Sequence, residues 1–145
     1  MGLRSRDRCK DIARELVIKQ SMFVLGKGYA EPIAIEGALK IKEISYMHAE
    51  GYIGGALKHG LLALIKGAEC KFAVAPVICI ILDDEHAHAM CTATEEVKDR
   101  GAKDYVITDN AIVTKGLDPN PLLINTNGHL TSGGVTPPND CVRAR

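Results

Sequence analysis

The sequence predicts an α/β fold, a three-layer α-β-α sandwich on a mostly parallel sheet. Three observations predict it. Residues 77–82 (VICIIL) are apolar throughout and rich in β-branched side chains, as in a strand buried on both faces. Strand-like and helix-like segments alternate, the rhythm of a parallel sheet with helices on both sides. Only four Tyr, two Phe and no Trp accompany a 46% hydrophobic content, so the core must be aliphatic. At 145 residues the chain fits one domain.

Each element has its own justification. Residues 7–20 place Ile12, Leu16 and Val17 on one side of a short amphipathic helix. Residues 21–25 turn β-like and end at Gly26-Lys27-Gly28. A long helix is expected over 30–48, with Pro32 in its first turn, where a missing N–H is harmless. His48 would close that helix, favoured by the negative end of its dipole. Gly51, Gly54, Gly55 and Gly60 then break regularity, and residues 61–65 suit a short strand or a turn of helix equally. After the strand at 77–82, Asp83-Asp84-Glu85 open a helix where acids are favoured. It runs to about residue 100 and stops at Gly101. Residues 105–108 and 121–124 are the third and fourth strands. Residues 125–145 show neither helical nor strand period, and Pro137-Pro138 excludes a helix across that point. The expected division is therefore a domain over 1–124 and an irregular C-terminal tail over 125–145, with the last helix missing.

Composition also bounds function. Lys+Arg and Asp+Glu both count 18, so bulk charge recruits neither nucleic acid nor a membrane surface. Charge is uneven: residues 1–20 carry six basic and three acidic groups, residues 81–110 three basic and eight acidic, which solvated helix faces explain. Five cysteines (Cys9, Cys70, Cys79, Cys91, Cys141) contain no C-x-x-C pair and match neither a zinc site nor a disulfide framework. No apolar run resembles a signal peptide or is long enough to span a bilayer. A cytoplasmic protein without metal or cofactor is expected.

The residues with chemical content lie on the long helix. Glu36, Lys40 and Glu43 stand at i, i+4 and i+7 and form one stripe, with Ile33, Ile44 and Met47 beside it. An ordinary Glu–Lys surface pair explains that spacing. The chemical alternative is a carboxylate that moves protons beside an ammonium that holds charge. His59, framed by glycines in GGALKHG, can approach a ligand closely or simply be solvated. Gly26-Lys27-Gly28 lies where a helix N-terminus could cradle phosphate, but any tight turn from strand to helix wants glycine. Asp83-Asp84-Glu85-His86-Ala87-His88 looks like a metal cluster only superficially, because His at i and i+2 diverge on a helix.

As a string, residues 22–60 (MFVLGKGYAEPIAIEGALKIKEISYMHAEGYIGGALKHG) closely resemble the isomerase part of glutamine–fructose-6-phosphate aminotransferase (glucosamine-6-phosphate synthase). Within it they resemble the second of two sugar-isomerase (SIS) domains, with a weaker collinear likeness over 77–125. The resemblance implies ketose–aldose isomerisation of a phosphorylated hexose (fructose 6-phosphate to glucosamine 6-phosphate) in hexosamine biosynthesis. It implies that Glu43 moves a proton between C1 and C2, that His59 opens the sugar ring, and that Glu36 and Lys40 line the same pocket. It further implies a homodimer, or a partner chain supplying missing domains, since the histidine reaches into the neighbouring subunit's site. The chain has no counterpart of the glutaminase domain, the first SIS domain or the family's C-terminal lysine. Where the family reads G-E-L-K-H-G-P, Ala56 and Leu61 stand here. The expectation is a fragment of that enzyme, incomplete alone. The alternatives are a non-catalytic phosphosugar-binding SIS module and an inert truncated product.

Overall fold

The computed structural model describes residues 3–56 and 75–124. In chain order the elements are α1 (Leu3–Leu16), β1 (Ser21–Gly26), α2 (Ala30–Ser45), β2 (His48–Ile53), β3 (Val77–Ile81), α3 (Ala87–Asp99), β4 (Asp104–Thr108) and β5 (Leu122–Leu123). The five strands form one sheet in the order β2-β1-β3-β4-β5, every neighbouring pair parallel. The α/β sandwich is as the sequence predicts.

Two apolar layers hold it. On one face Phe23, Leu25, Val77, Cys79 and Ile81 meet Ala87, Met90, Ala93 and Val97 of α3. On the other, Met22, Val24, Ala49 and Ile80 meet Ala30, Ala34 and Ala38 of α2, with Leu16 of α1 packed alongside. Alternate residues of β1 feed opposite layers, which is why its burial is unbroken. The small residues of α2 bring its backbone close to the sheet. A Cβ at Gly51 of β2 would stand 2.6 Å from Ile35 Cα, and one at Gly26 would stand 2.2 Å from the Ala30 carbonyl oxygen. α1 ties to the far edge, where Ser5 Oγ donates to the Leu123 carbonyl, Arg8 Nε to that of Asn120, and the Tyr105 hydroxyl to Glu15.

Several boundaries differ from expectation for identifiable reasons. α1 begins and ends about four residues earlier, leaving Val17 and Ile18 exposed. α2 stops at Ser45, because Tyr46 takes a left-handed conformation (φ 59°) and donates its N–H to the Lys42 carbonyl. His48 therefore does not close a helix. It opens β2, a strand the glycine-rich reading missed, pairing in register with Ser21. Asp83-Asp84-Glu85 form a turn ahead of α3: Asp84 Oδ1 accepts from the His86 N–H, and Asp83 Oδ2 from the Asn110 amide. Those carboxylates are engaged in shaping the loop. Residues 61–65 and the tail 125–145 lie outside the described residues.

Candidate functional site

α2 presents its alanine stripe to the sheet, so its other face looks outward. Glu36 stands two residues beyond Ala34 and Lys40 two beyond Ala38, each roughly 200° round the helix from the buried side. Lys40 Nζ lies 3.0 Å from Glu43 Oε2 and 3.6 Å from Glu36 Oε1, so one ammonium joins both carboxylates. The hydrogen bond to Glu43, reinforced by the charges of Glu43 and Glu36, raises the Lys40 pKa above its ordinary value and keeps the amine protonated. All three side chains are about half exposed, at 63%, 56% and 52% for Glu36, Lys40 and Glu43. Apolar groups surround them: Ile33, Ile35, Leu39 and Ile44 are 46%, 51%, 42% and 79% exposed.

The structure thus brings Glu36, Lys40 and Glu43 together, and places them on an open helix face bordered by uncovered apolar side chains. His59 lies outside the described residues. A cleft of about 310 Å³ opens on the opposite face of the sheet, lined by Lys27, Gly54, Gly55, Thr92 and Glu96 among others, and it contains no member of the stripe. A second polar row runs along β2. Glu50 accepts from the Tyr52 hydroxyl at 2.7 Å and lies 3.2 Å from His48 Nε2. Burial and the bond to Glu50 raise the Tyr52 pKa, the bond having the larger effect. Among the described residues no group of three or more His, Cys, Asp or Glu is placed to hold a metal ion. No helix among them is long and apolar enough to cross a membrane.

Comparison with known proteins decides the family. The SIS domain profile matches residues 15–115, most of the chain. The chain belongs to the SIS domain family. Among curated relatives, the probable glutamine–fructose-6-phosphate aminotransferase (isomerizing) of Schizosaccharomyces pombe is 42% identical over 98 residues, covering 68% of this chain and 13% of the relative. The corresponding enzyme 1 of Rattus norvegicus is 43% identical over 104 residues, covering 71% of this chain and 14% of the relative. The C-terminal domain of glucosamine-fructose-6-phosphate aminotransferase from Francisella tularensis superposes with a TM-score of 0.71 at 35% identity, covering 84% of this chain and 32% of that one. A putative phosphosugar isomerase from Silicibacter pomeroyi, at 21% identity and TM-score 0.61, shares the fold. This SIS chain accordingly resembles the isomerase part of those aminotransferases, and spans about one-seventh of the length of these curated relatives.

Sequence reasoning missed two features of this SIS domain. Gly51 looked like a loop residue and instead sets the seat of α2 on β2. Glu96 attracted no attention because a glutamate on a helix of ordinary charge pattern carries no periodic signal. Its place in the same cleft as Lys27 comes from packing.

Proposed function

We propose that this chain is the sugar-phosphate isomerase part of a glutamine–fructose-6-phosphate aminotransferase, with residues 1–124 as the folded unit and residues 125–145 as a separate tail. In this reading the protein acts in the cytoplasm on fructose 6-phosphate, in the ketose–aldose step of glucosamine 6-phosphate formation in hexosamine biosynthesis. The observation that carries the reading is the Glu36–Lys40–Glu43 constellation on an apolar, uncovered helix face, in a chain with 41–44% identity to such enzymes from several organisms. Isomerisation through an enediol needs one base that reaches two adjacent carbons. Glu43 takes the proton from one carbon and returns it to the other. Lys40, kept charged by its two carboxylates, stands beside the developing negative charge. Glu36 holds the Lys40 side chain in place, and His59 moves the ring-opening proton.

A carboxylate half open to water is a poor proton shuttle for carbon, since solvent competes at every step. The uncovered Ile33, Ile35, Leu39 and Ile44 support a remedy: a second subunit, or a partner chain supplying the remaining domains, closes over α2 and dries the site. The same exposure supports the second reading, a module that binds a phosphorylated hexose without turning it over. Solvent deuterium exchange separates the two. With catalysis, fructose 6-phosphate gains deuterium at C1, or its aldose product at C2, and Glu43→Gln abolishes the gain. Exchange at the buffer rate, together with a rise in melting temperature on adding fructose 6-phosphate, would leave the binding module. Neither effect would leave the inert product.

A further inference from the structure

The cleft on the α3 face is unrelated to the stripe on α2, and its chemistry is its own. The strand order reverses between β1 and β3, and in parallel sheets a crevice opens at the carboxyl ends of the strands near such a reversal. The cleft lies there, with Lys27 just past β1 and Gly54 and Gly55 just past β2. Two glycines border it. A Cβ on Gly54 would come within 2.2 Å of Sδ of the buried Met90, so the chain here lies directly against the core, while a Cβ on Gly55 would meet nothing within 4 Å. The wall on α3 is made of small side chains, Ala89, Thr92 and Ala93. Its volume of about 310 Å³ reaches the lower range of small-molecule pockets, roughly 300 Å³ upward.

Among the described residues two charges line this cleft, Lys27 and Glu96, and neither side chain is matched. Lys27 and Glu96 are both partly buried. Among the described residues neither side chain makes a hydrogen bond or ion pair, although the side chains of Arg8, Lys40, Lys98 and Lys103 all have partners. A partly desolvated charge without a partner is costly, and two opposite ones in one cleft invite a ligand that meets both. A plain anion would satisfy Lys27 but confront Glu96, and a plain cation the reverse. Thr92, whose hydroxyl donates to the His88 carbonyl, keeps lone pairs to accept from a ligand donor.

We propose that this cleft is a second small-molecule site whose ligand is a small zwitterion, with a phosphate or carboxylate on Lys27 and a protonated amine on Glu96.

The test titrates the 145-residue chain by calorimetry and thermal shift with glucosamine 6-phosphate (phosphate and amine) and glutamine (carboxylate and amine). Binding of either that depends on Lys27 and Glu96 and survives Glu43→Gln supports the site and identifies the anionic group it prefers. Lys27→Met and Glu96→Gln should each weaken that binding roughly tenfold or more, the loss of about one charged contact. N-acetylglucosamine 6-phosphate, which lacks the cationic amine, should bind correspondingly less well than glucosamine 6-phosphate. Thr92→Phe, at an exposed position on α3, should block the cleft with both charges intact, and circular dichroism checks that each variant is folded. The proposal is overturned if neither zwitterion binds at millimolar concentration, or if binding survives unchanged in Lys27→Met and Glu96→Gln. It is equally overturned if binding is lost in Glu43→Gln but kept in Lys27→Met, which would place the ligand on α2.

Discussion

Tyr46 sits in a left-handed conformation that is strained for L-residues, yet the residue is 94% exposed, so burial among the described residues does little to offset the strain. The position following a helix is one where glycine is at home. Tyr46→Gly should therefore raise unfolding free energy by roughly 1 kcal/mol, read as a higher urea midpoint at unchanged slope. A loss of stability would mean instead that packing of the Tyr46 ring outweighs the strain of its backbone. Cys79 gives a second prediction at this scale. Its thiol is fully buried in β3, and burial pushes its pKa from 9.0 up to about 12. Tyr105 is raised as well, by burial first and then by its bond to Glu15. For an acid whose folded pKa is raised, the stabilising contribution is complete below the unfolded pKa and drains away as pH climbs through the window up to the folded one. Stability should thus fall between about pH 9 and pH 12, by up to about 1.4 kcal/mol per pH unit for each such group. Denaturant midpoints across that range check the slope, and Cys79→Ala should flatten it.

At the scale of elements, α2 is positioned by what β2 lacks. A methyl group at residue 51 would collide with helix backbone at Ile35, not with a side chain that can swing away. Gly51→Ala should cost roughly 1–3 kcal/mol in chemical unfolding, the usual range for overpacking, and should tilt the helix that carries Glu36, Lys40 and Glu43. An unchanged midpoint would show that the seat of α2 is loose. α2 itself was legible from sequence, because its alanine spacing and the Glu–Lys stripe both follow helical period. β2 was not. HAEGYI carries a histidine, a glutamate and a glycine, and its strand state comes from a six-residue parallel register with β1. A helix end at Tyr46 was illegible too, since nothing in a tyrosine announces a left-handed cap. The loop before α3 misled for a related reason: Asp84 accepts from the His86 N–H two residues on, a local bond that postpones the helix to Ala87.

Over the whole molecule the outer face of α2 remains without a cover among the described residues, whereas its inner face is sealed against the sheet. Within the proposed function, that face meets another subunit or domain. Ile44→Lys, at a position 79% exposed, should leave the stability of the isolated chain within about 0.5 kcal/mol and still lower deuterium exchange in the assembled enzyme. A large loss of stability would instead place Ile44 in this chain's own core. The parallel α/β architecture, the aliphatic core strands and the charged stripe were determined by the sequence alone, because each is written as a local periodicity or an unbroken apolar run. Tertiary structure decided what no local pattern encodes: that the stripe faces outward, that an edge strand forms at 48–53, and that Lys27 and Glu96 share a cleft. The physical reason is that strand pairing and close helix seating depend on residues far apart in the chain, as Gly51 with Ile35 and Lys27 with Glu96 show.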